Sequence, residues 1–148
     1  MKRYEVLDIS GDAGVRAFGV SPPVLLVNAA LAMYSLIVDP HTVRAIKQVE
    51  VRVRHESLDG LLLAWLNELV YRFDVEGFLA REITVTTFSS PGRDDSENHE
   101  YFLGASLSGE DFDLERHQGK LLLKAATYHN LKVVQSNGIW TAEIIFDI

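Results

Sequence analysis

Cysteine is absent from this 148-residue chain. Disulfides, zinc–thiolate centres and thiol catalysis are therefore excluded. Positive charge is also scarce, with 14 Lys+Arg against 21 Asp+Glu and a net charge of −7. Holding RNA or DNA tightly requires a clustered basic face, so direct, tight nucleic-acid binding is not expected; a partner with a basic surface is. No apolar run is long enough for a membrane span. Residues 17–38 carry no charge, but their helical part, from about Pro23 to Ile37, falls short of the ~20 apolar residues a bilayer requires. Asn28 and Ser35 interrupt it as well. The opening Met1-Lys2-Arg3-Tyr4-Glu5 lacks the apolar core of a signal peptide, so a cytoplasmic protein is expected. Also missing are the phosphate-binding loops Gly-x-x-x-x-Gly-Lys-Ser/Thr and Gly-x-Gly-x-x-Gly, and the catalytic motifs His-Glu-x-x-His and Gly-x-Ser-x-Gly.

What is present suits one domain spanning 1–148 with a single substantial core: 47% hydrophobic and 24% charged residues are ordinary for a folded chain of this size. The pattern predicts strands at Arg3–Leu7 and Val15–Gly19, separated by a turn-like run from Asp8 to Gly14. Ser21 caps a helix with Pro22 and Pro23 in its first turn, and its near-continuous apolar surface marks a buried central helix. Gln48–His55 alternates, with Val49, Val51 and Val53 inward and Arg52 and Arg54 outward. Ser57 caps a second helix to Phe73, whose stripe includes Leu62, Trp65, Leu66 and Leu69. Ile83–Phe88, Tyr101–Leu107 and Lys120–Lys124 read as further strands, and Gly109–His117 as a charged connector. Asn137-Gly138 predicts a two-residue turn in a final hairpin, because both its positions require positive φ. The expected class is α+β, two helices packed on one face of a largely antiparallel sheet.

The last strand carries the chemistry. It ends in Asp147 and Ile148, so a side-chain carboxylate stands beside a main-chain carboxylate, and two such groups repel unless a cation lies between them. Asp12, in a glycine-flanked turn, offers a third hard oxygen. Asp12, Asp147 and Ile148 form a candidate divalent-cation site suited to Ca²⁺, Mg²⁺ or Mn²⁺ rather than zinc. Turn aspartates also serve local hydrogen bonding, which is the competing reading. Lys124 either reaches solvent along its stem or balances these carboxylates. His129 and His117 are read as hydrogen-bonded polar residues ahead of general bases. The acidic run Asp94, Asp95 and Glu97 is read as solvated surface ahead of a calcium site. An autonomous metal-dependent phosphohydrolase is a weaker alternative, since no general base accompanies the carboxylates.

Asp12 with Gly14-Val15-Arg16-Ala17-Phe18-Gly19, Asn28-Ala29-Ala30, and Trp65-Leu66-Asn67-Glu68-Leu69-Val70-Tyr71 with Phe73-Asp74 and Gly77 together resemble the archease family. Gly109-Glu110, Asp113, His117, Lys124-Ala125-Ala126-Thr127-Tyr128-His129 and the terminal Ile145-Phe146-Asp147-Ile148 extend the resemblance over nearly the whole chain. It implies a small non-catalytic accessory protein that assists the RNA-splicing ligase joining tRNA exon halves, promoting its metal-dependent guanylylation and multiple turnover. It also implies, as an alternative, a chaperone-like modulator of a tRNA cytosine methyltransferase. The family's metal site corresponds to Asp12, Asp147 and the terminal carboxylate. Lys124, with His129 in the same matched stretch, is expected to act in ligase activation. One departure stands out: the family usually reads His-Thr-Ala-Asp where this chain has Ile9-Ser10-Gly11-Asp12, which removes that histidine's role here.

Overall fold

A computed structural model describes residues 1–92 and 98–148. Asp94, Asp95 and Glu97 of the acidic run lie outside the described residues. Among the described residues seven strands form two antiparallel sheets instead of the single sheet expected. The first sheet has the order β1-β2-β7-β6, with β1 Tyr4–Ile9, β2 Asp12–Gly19, β6 Ala125–Ser136 and β7 Ile139–Asp147. The second has the order β3-β5-β4, with β3 Lys47–His55, β4 Phe78–Ser89 and β5 Tyr101–Asp111. The last two strands of the chain return to the first two, and the three-stranded sheet is inserted between them, with β5 central and a helix crossing from β3 to β4.

Two long helices join the sheets. Helix α1, Pro22–Ile37, begins where the Ser21 hydroxyl accepts the Val24 N–H. It is buried on most sides, with Leu25, Leu26, Ala29, Ala30, Met33 and Ile37 in the core, and only a stripe through Val24, Val27, Leu31 and Ser35 is less covered. It packs on β1, β2 and β7 of one sheet and on β4 of the other. Helix α2, Leu58–Glu76, is capped by Ser57 at its start and ends at Gly77, whose φ of 75° is a left-handed closure that suits glycine. It lies against β3 and β5 and reaches β6. Trp65 is fully buried and donates its indole N–H to the Leu26 carbonyl at 2.8 Å, tying α2 to α1.

Three segments differ from the sequence reading. The supposed turn from Asp8 to Gly14 is a tight hairpin: Ile9 pairs with Asp12, and only Ser10 and Gly11 are left to turn. Gly11 at φ 80° makes so short a connection possible. Lys120–Lys124 is not a strand, because its donors go elsewhere. The Lys120 and Leu121 N–H groups bond the Ile37 and Leu36 carbonyls, and the Lys120 ammonium bonds the Ser35 carbonyl. They satisfy the otherwise orphaned C-terminal end of α1. Finally, the charged connector begins inside β5, which continues to Asp111. The four-residue helix α3, Leu114–His117, follows. No helix of the described chain is long and apolar enough to cross a membrane.

Candidate functional site

The β2–β7 ladder pairs Ala13 with Phe146, Val15 with Ile144 and Ala17 with Ala142, the inward-facing row of the sheet. One step beyond Ala13 and Phe146, the same register sets Asp12 across from Asp147. Direct cross-strand neighbours project from the same face, with Cβ atoms roughly 5 Å apart. Both aspartates are exposed, and neither carboxylate accepts a hydrogen bond among the described residues. On the other side of β7, Ala125 pairs with Asp147, and the Lys124 N–H donates to the Asp147 carbonyl at 2.8 Å. Continuing that register sets Lys124 across from Ile148. Asp12, Asp147, Ile148 and Lys124, scattered over the sequence, thus meet at one end of one sheet.

The surroundings explain why this end stays negative. Two rows further along the same face, Arg16 is held between Glu143, at 2.7 and 2.9 Å, and Glu5, at 2.5 Å. Its charge is fully engaged and does not reach the aspartate pair. The row between them is apolar. Gly14 lies there without a side chain, and the Ile9 side chain fills that space beside Ile145. Ile9 is therefore a hydrophobic cover next to the aspartates.

Whether these residues fit a cation is decided by their chemistry. Two unpartnered carboxylates on adjacent strands offer oxygen donors to a hard divalent ion. Among the described residues no group of three or more His, Cys, Asp or Glu side chains is gathered. A cation here would therefore take its third protein oxygen from the main chain, and the Ile148 carboxylate is adjacent.

His129 is not brought to this point. Between Thr127, paired with Ile145, and Lys132, paired with Glu143, β6 bulges outward. His129 stands on that bulge beside Asn130, whose φ is 52°. The paired residue Thr127 lies between it and Ala125, the partner of Asp147. Its N–H bonds the Thr127 hydroxyl at 3.3 Å, and its ring is exposed.

Two further positions shape the region and were not singled out by sequence. Asn67, on α2, bonds both main-chain groups of Ala126: its carbonyl accepts the N–H at 2.7 Å and its amide donates to the C=O at 3.1 Å. It acts as one rung of a missing neighbouring strand and fixes the start of β6, next to Lys124. The signal was a polar residue at the edge of an apolar helix stripe, which periodicity alone treats as solvent-facing.

The second is Glu110, only 4% exposed. Its Oε2 accepts the Arg44 N–H at 2.7 Å and the His117 Nε2–H at 3.0 Å; its Oε1 accepts from the Arg44 and Arg116 guanidinium groups. His117 is itself buried, and its Nδ1 accepts the Asp113 N–H at 2.7 Å, which fixes the neutral tautomer that donates to Glu110. Burial alone would raise the Glu110 pKa. The bonds from Arg116, the Arg44 main chain, His117 and the Arg44 side chain outweigh it and hold the carboxyl well below the ordinary 4.5. His117 is thus a structural hydrogen-bonding residue, as the sequence suggested.

Comparison with known proteins gives a consistent result. Residues 4–148 match the model of the family described as the archease protein family (MTH1598/TM1083). A protein archease of Methanosarcina barkeri is 33% identical over 147 residues, covering 99% of this chain and 97% of that protein. The solution structure of Methanobacterium thermoautotrophicum protein 1598 superposes with a TM-score of 0.79 at 28% identity, covering 100% of both chains. A Thermotoga maritima crystal structure, described as an archease and possible chaperone, superposes with a TM-score of 0.62 at 15% identity over 96% of this chain and 94% of that one. This last likeness concerns the fold alone.

Proposed function

Because the chain belongs to the archease family, we propose that it is a non-catalytic accessory protein of an RNA-splicing tRNA ligase. In this reading it promotes the ligase's metal-dependent guanylylation and its multiple turnover, and it works in the cytoplasm. The single observation that supports the reading most is the convergence of Asp12, Asp147, Ile148 and Lys124 at one exposed sheet end. A site meant for a partner must lie open to it, and this one does.

Asp12, Asp147 and the Ile148 carboxylate would hold Ca²⁺, Mg²⁺ or Mn²⁺. A bound ion of this kind would neutralise the acidic end and supply a Lewis acid for oxygen ligands from outside the chain. The chain's own residues do the rest. The β2–β7 ladder keeps the two aspartates side by side, and Asn67 anchors the start of β6. The Ile9 side chain keeps the adjoining row dry. Lys124, without an ion-pair partner among the described residues, is free to balance the carboxylates or to meet a phosphate of the ligase's nucleotide.

The test is covalent guanylylation of the cognate ligase, followed with labelled GTP, in the presence of wild-type protein, Asp12→Ala or Asp147→Ala. Both positions are exposed strand ends, so folding is retained, which circular dichroism checks. Loss of stimulation in both variants is expected. Full stimulation by both would remove the metal site from the account.

A further inference from the structure

Away from the aspartate pair, where the residues leading into β1 approach β4, the surface opens into two adjoining hollows that share Arg3, Leu31 and Arg81 in their walls. The smaller, about 200 Å³, has Arg3, Arg81 and His41 at its sides and Tyr34 among its lining, with no carboxylate. The larger, about 650 Å³, runs over the outer side of α1, between Val24, Val27 and Leu31 of that helix and Ile83 and Val85 of β4. Its volume lies within the range of small-ligand pockets.

The charges here run against the rest of the molecule. In a chain of net charge −7, the larger hollow carries Arg3 and Arg81 against the one carboxylate of Glu82, with Lys2 at its rim paired to Glu5 at 3.1 Å. Neither Arg3 nor Arg81 pairs with a carboxylate among the described residues. The Arg81 guanidinium is fixed by donating one N–H to the Pro40 carbonyl, which leaves its remaining donors directed elsewhere. Behind them, the Tyr34 hydroxyl is sealed from solvent with no hydrogen-bond partner, near the Ala80 main chain but outside bonding geometry. An unpartnered buried hydroxyl is costly unless something completes it. Burial also pushes its pKa up, so it is a lasting donor.

We propose that these hollows form a binding site for a small amphiphilic anion, with an oxyanion head, carboxylate or phosphate, between Arg3 and Arg81 and an apolar tail lying along α1. Planar guanidinium groups match both kinds of head, since each presents paired N–H donors to paired oxygens. The apolar wall formed by Val24, Val27, Leu31, Ile83 and Val85 adjoins the cationic end directly, so head and tail of one molecule are met at once. Nothing in this proposal depends on the ligase reading, which uses the opposite chemistry at another place.

Titration of the full chain with acetate, hexanoate, inorganic phosphate and hexyl phosphate, followed by amide and methyl NMR shifts, tests it. Saturable shifts are expected at Arg3, Arg81, Val24, Leu31 and Val85. The hexyl compounds should bind more tightly than their short counterparts by about fourfold for each methylene buried. The carboxylate and phosphate arms identify the preferred head, and either preference supports the site. Arg3→Gln should weaken every arm by about tenfold. Val24→Glu, which places a favourable acid in the first turn of α1 and so keeps the fold, should weaken all arms by repulsion. Equal binding of hexanoate and acetate and of hexyl and inorganic phosphate, unchanged affinity in both variants, or no saturable binding in any arm would overturn the proposal.

Discussion

Glu110 is a carboxylate whose acceptor capacity is taken up by four donor groups, and that arrangement has measurable consequences. Replacing it with Gln keeps the shape but turns a donor toward guanidinium groups. The expected cost is about 2 kcal/mol, at the low end for a buried pair because the Arg44 side chain remains 61% exposed. Chemical denaturation at neutral pH measures it. The sign of the pH effect follows from the direction of the shift. A carboxyl held below its ordinary value contributes stability in full above about 4.5 and loses it as pH falls toward the folded-state value. The gap between wild type and Glu110→Gln should therefore be widest above pH 4.5 and narrow steadily below it. A gap that widens on acidification would contradict the assignment. Asn67 makes a second test at this scale. Asn67→Ala leaves both main-chain groups of Ala126 without that partner, at a cost of about 1–3 kcal/mol. It should also speed amide exchange at Ala126, which a merely solvent-facing asparagine would not do.

Among the elements, those governed by neighbours in sequence were legible in advance. Ser21 and Ser57 cap the helices as their side chains suggest, and Val51 of the alternating β3 strand is buried between exposed Glu50 and Arg52. Asn137 and Gly138 adopt φ of 53° and 77°, the positive pair a two-residue turn demands. What escaped the sequence depends on partners far along the chain. Glu110 looked like part of a connector because Arg44, 66 residues earlier, supplies its bonds. Lys120–Lys124 looked like a strand because its apolar run says nothing of α1's open carbonyls. The acidic site divides in the same way. The oxygen chemistry of Asp12 and Asp147 was visible in the residues, but their meeting is a property of the β2–β7 register. Gly109 shows how tightly these elements are fitted. A Cβ there would collide with the Leu79 carbonyl oxygen in the neighbouring strand, a main-chain obstacle that no side-chain rotation relieves. Gly109→Ala should cost at least about 3 kcal/mol by forcing β4 from β5, or prevent folding. A thermal midpoint within a degree or two of wild type would show that the ladder yields more readily than this.

For the whole molecule, the arrangement separates three chemistries in space. A helix-joined core ties two sheets into one domain, an acidic end of the first sheet lies open, and a cationic hollow with an apolar wall lies between β1 and β4. A net charge of −7 suits a partner with a basic surface better than tight binding of RNA. In the proposed function the open acidic end activates an RNA ligase. The most direct test of this is multiple-turnover RNA ligation by the purified cognate ligase, limited by its own turnover, with and without this protein and with Asp12→Ala as the control. The account predicts sustained product formation with the wild-type protein and a return to the unassisted rate with Asp12→Ala. Ligation that is indifferent to the wild-type protein, or stimulated equally by the variant, would contradict it.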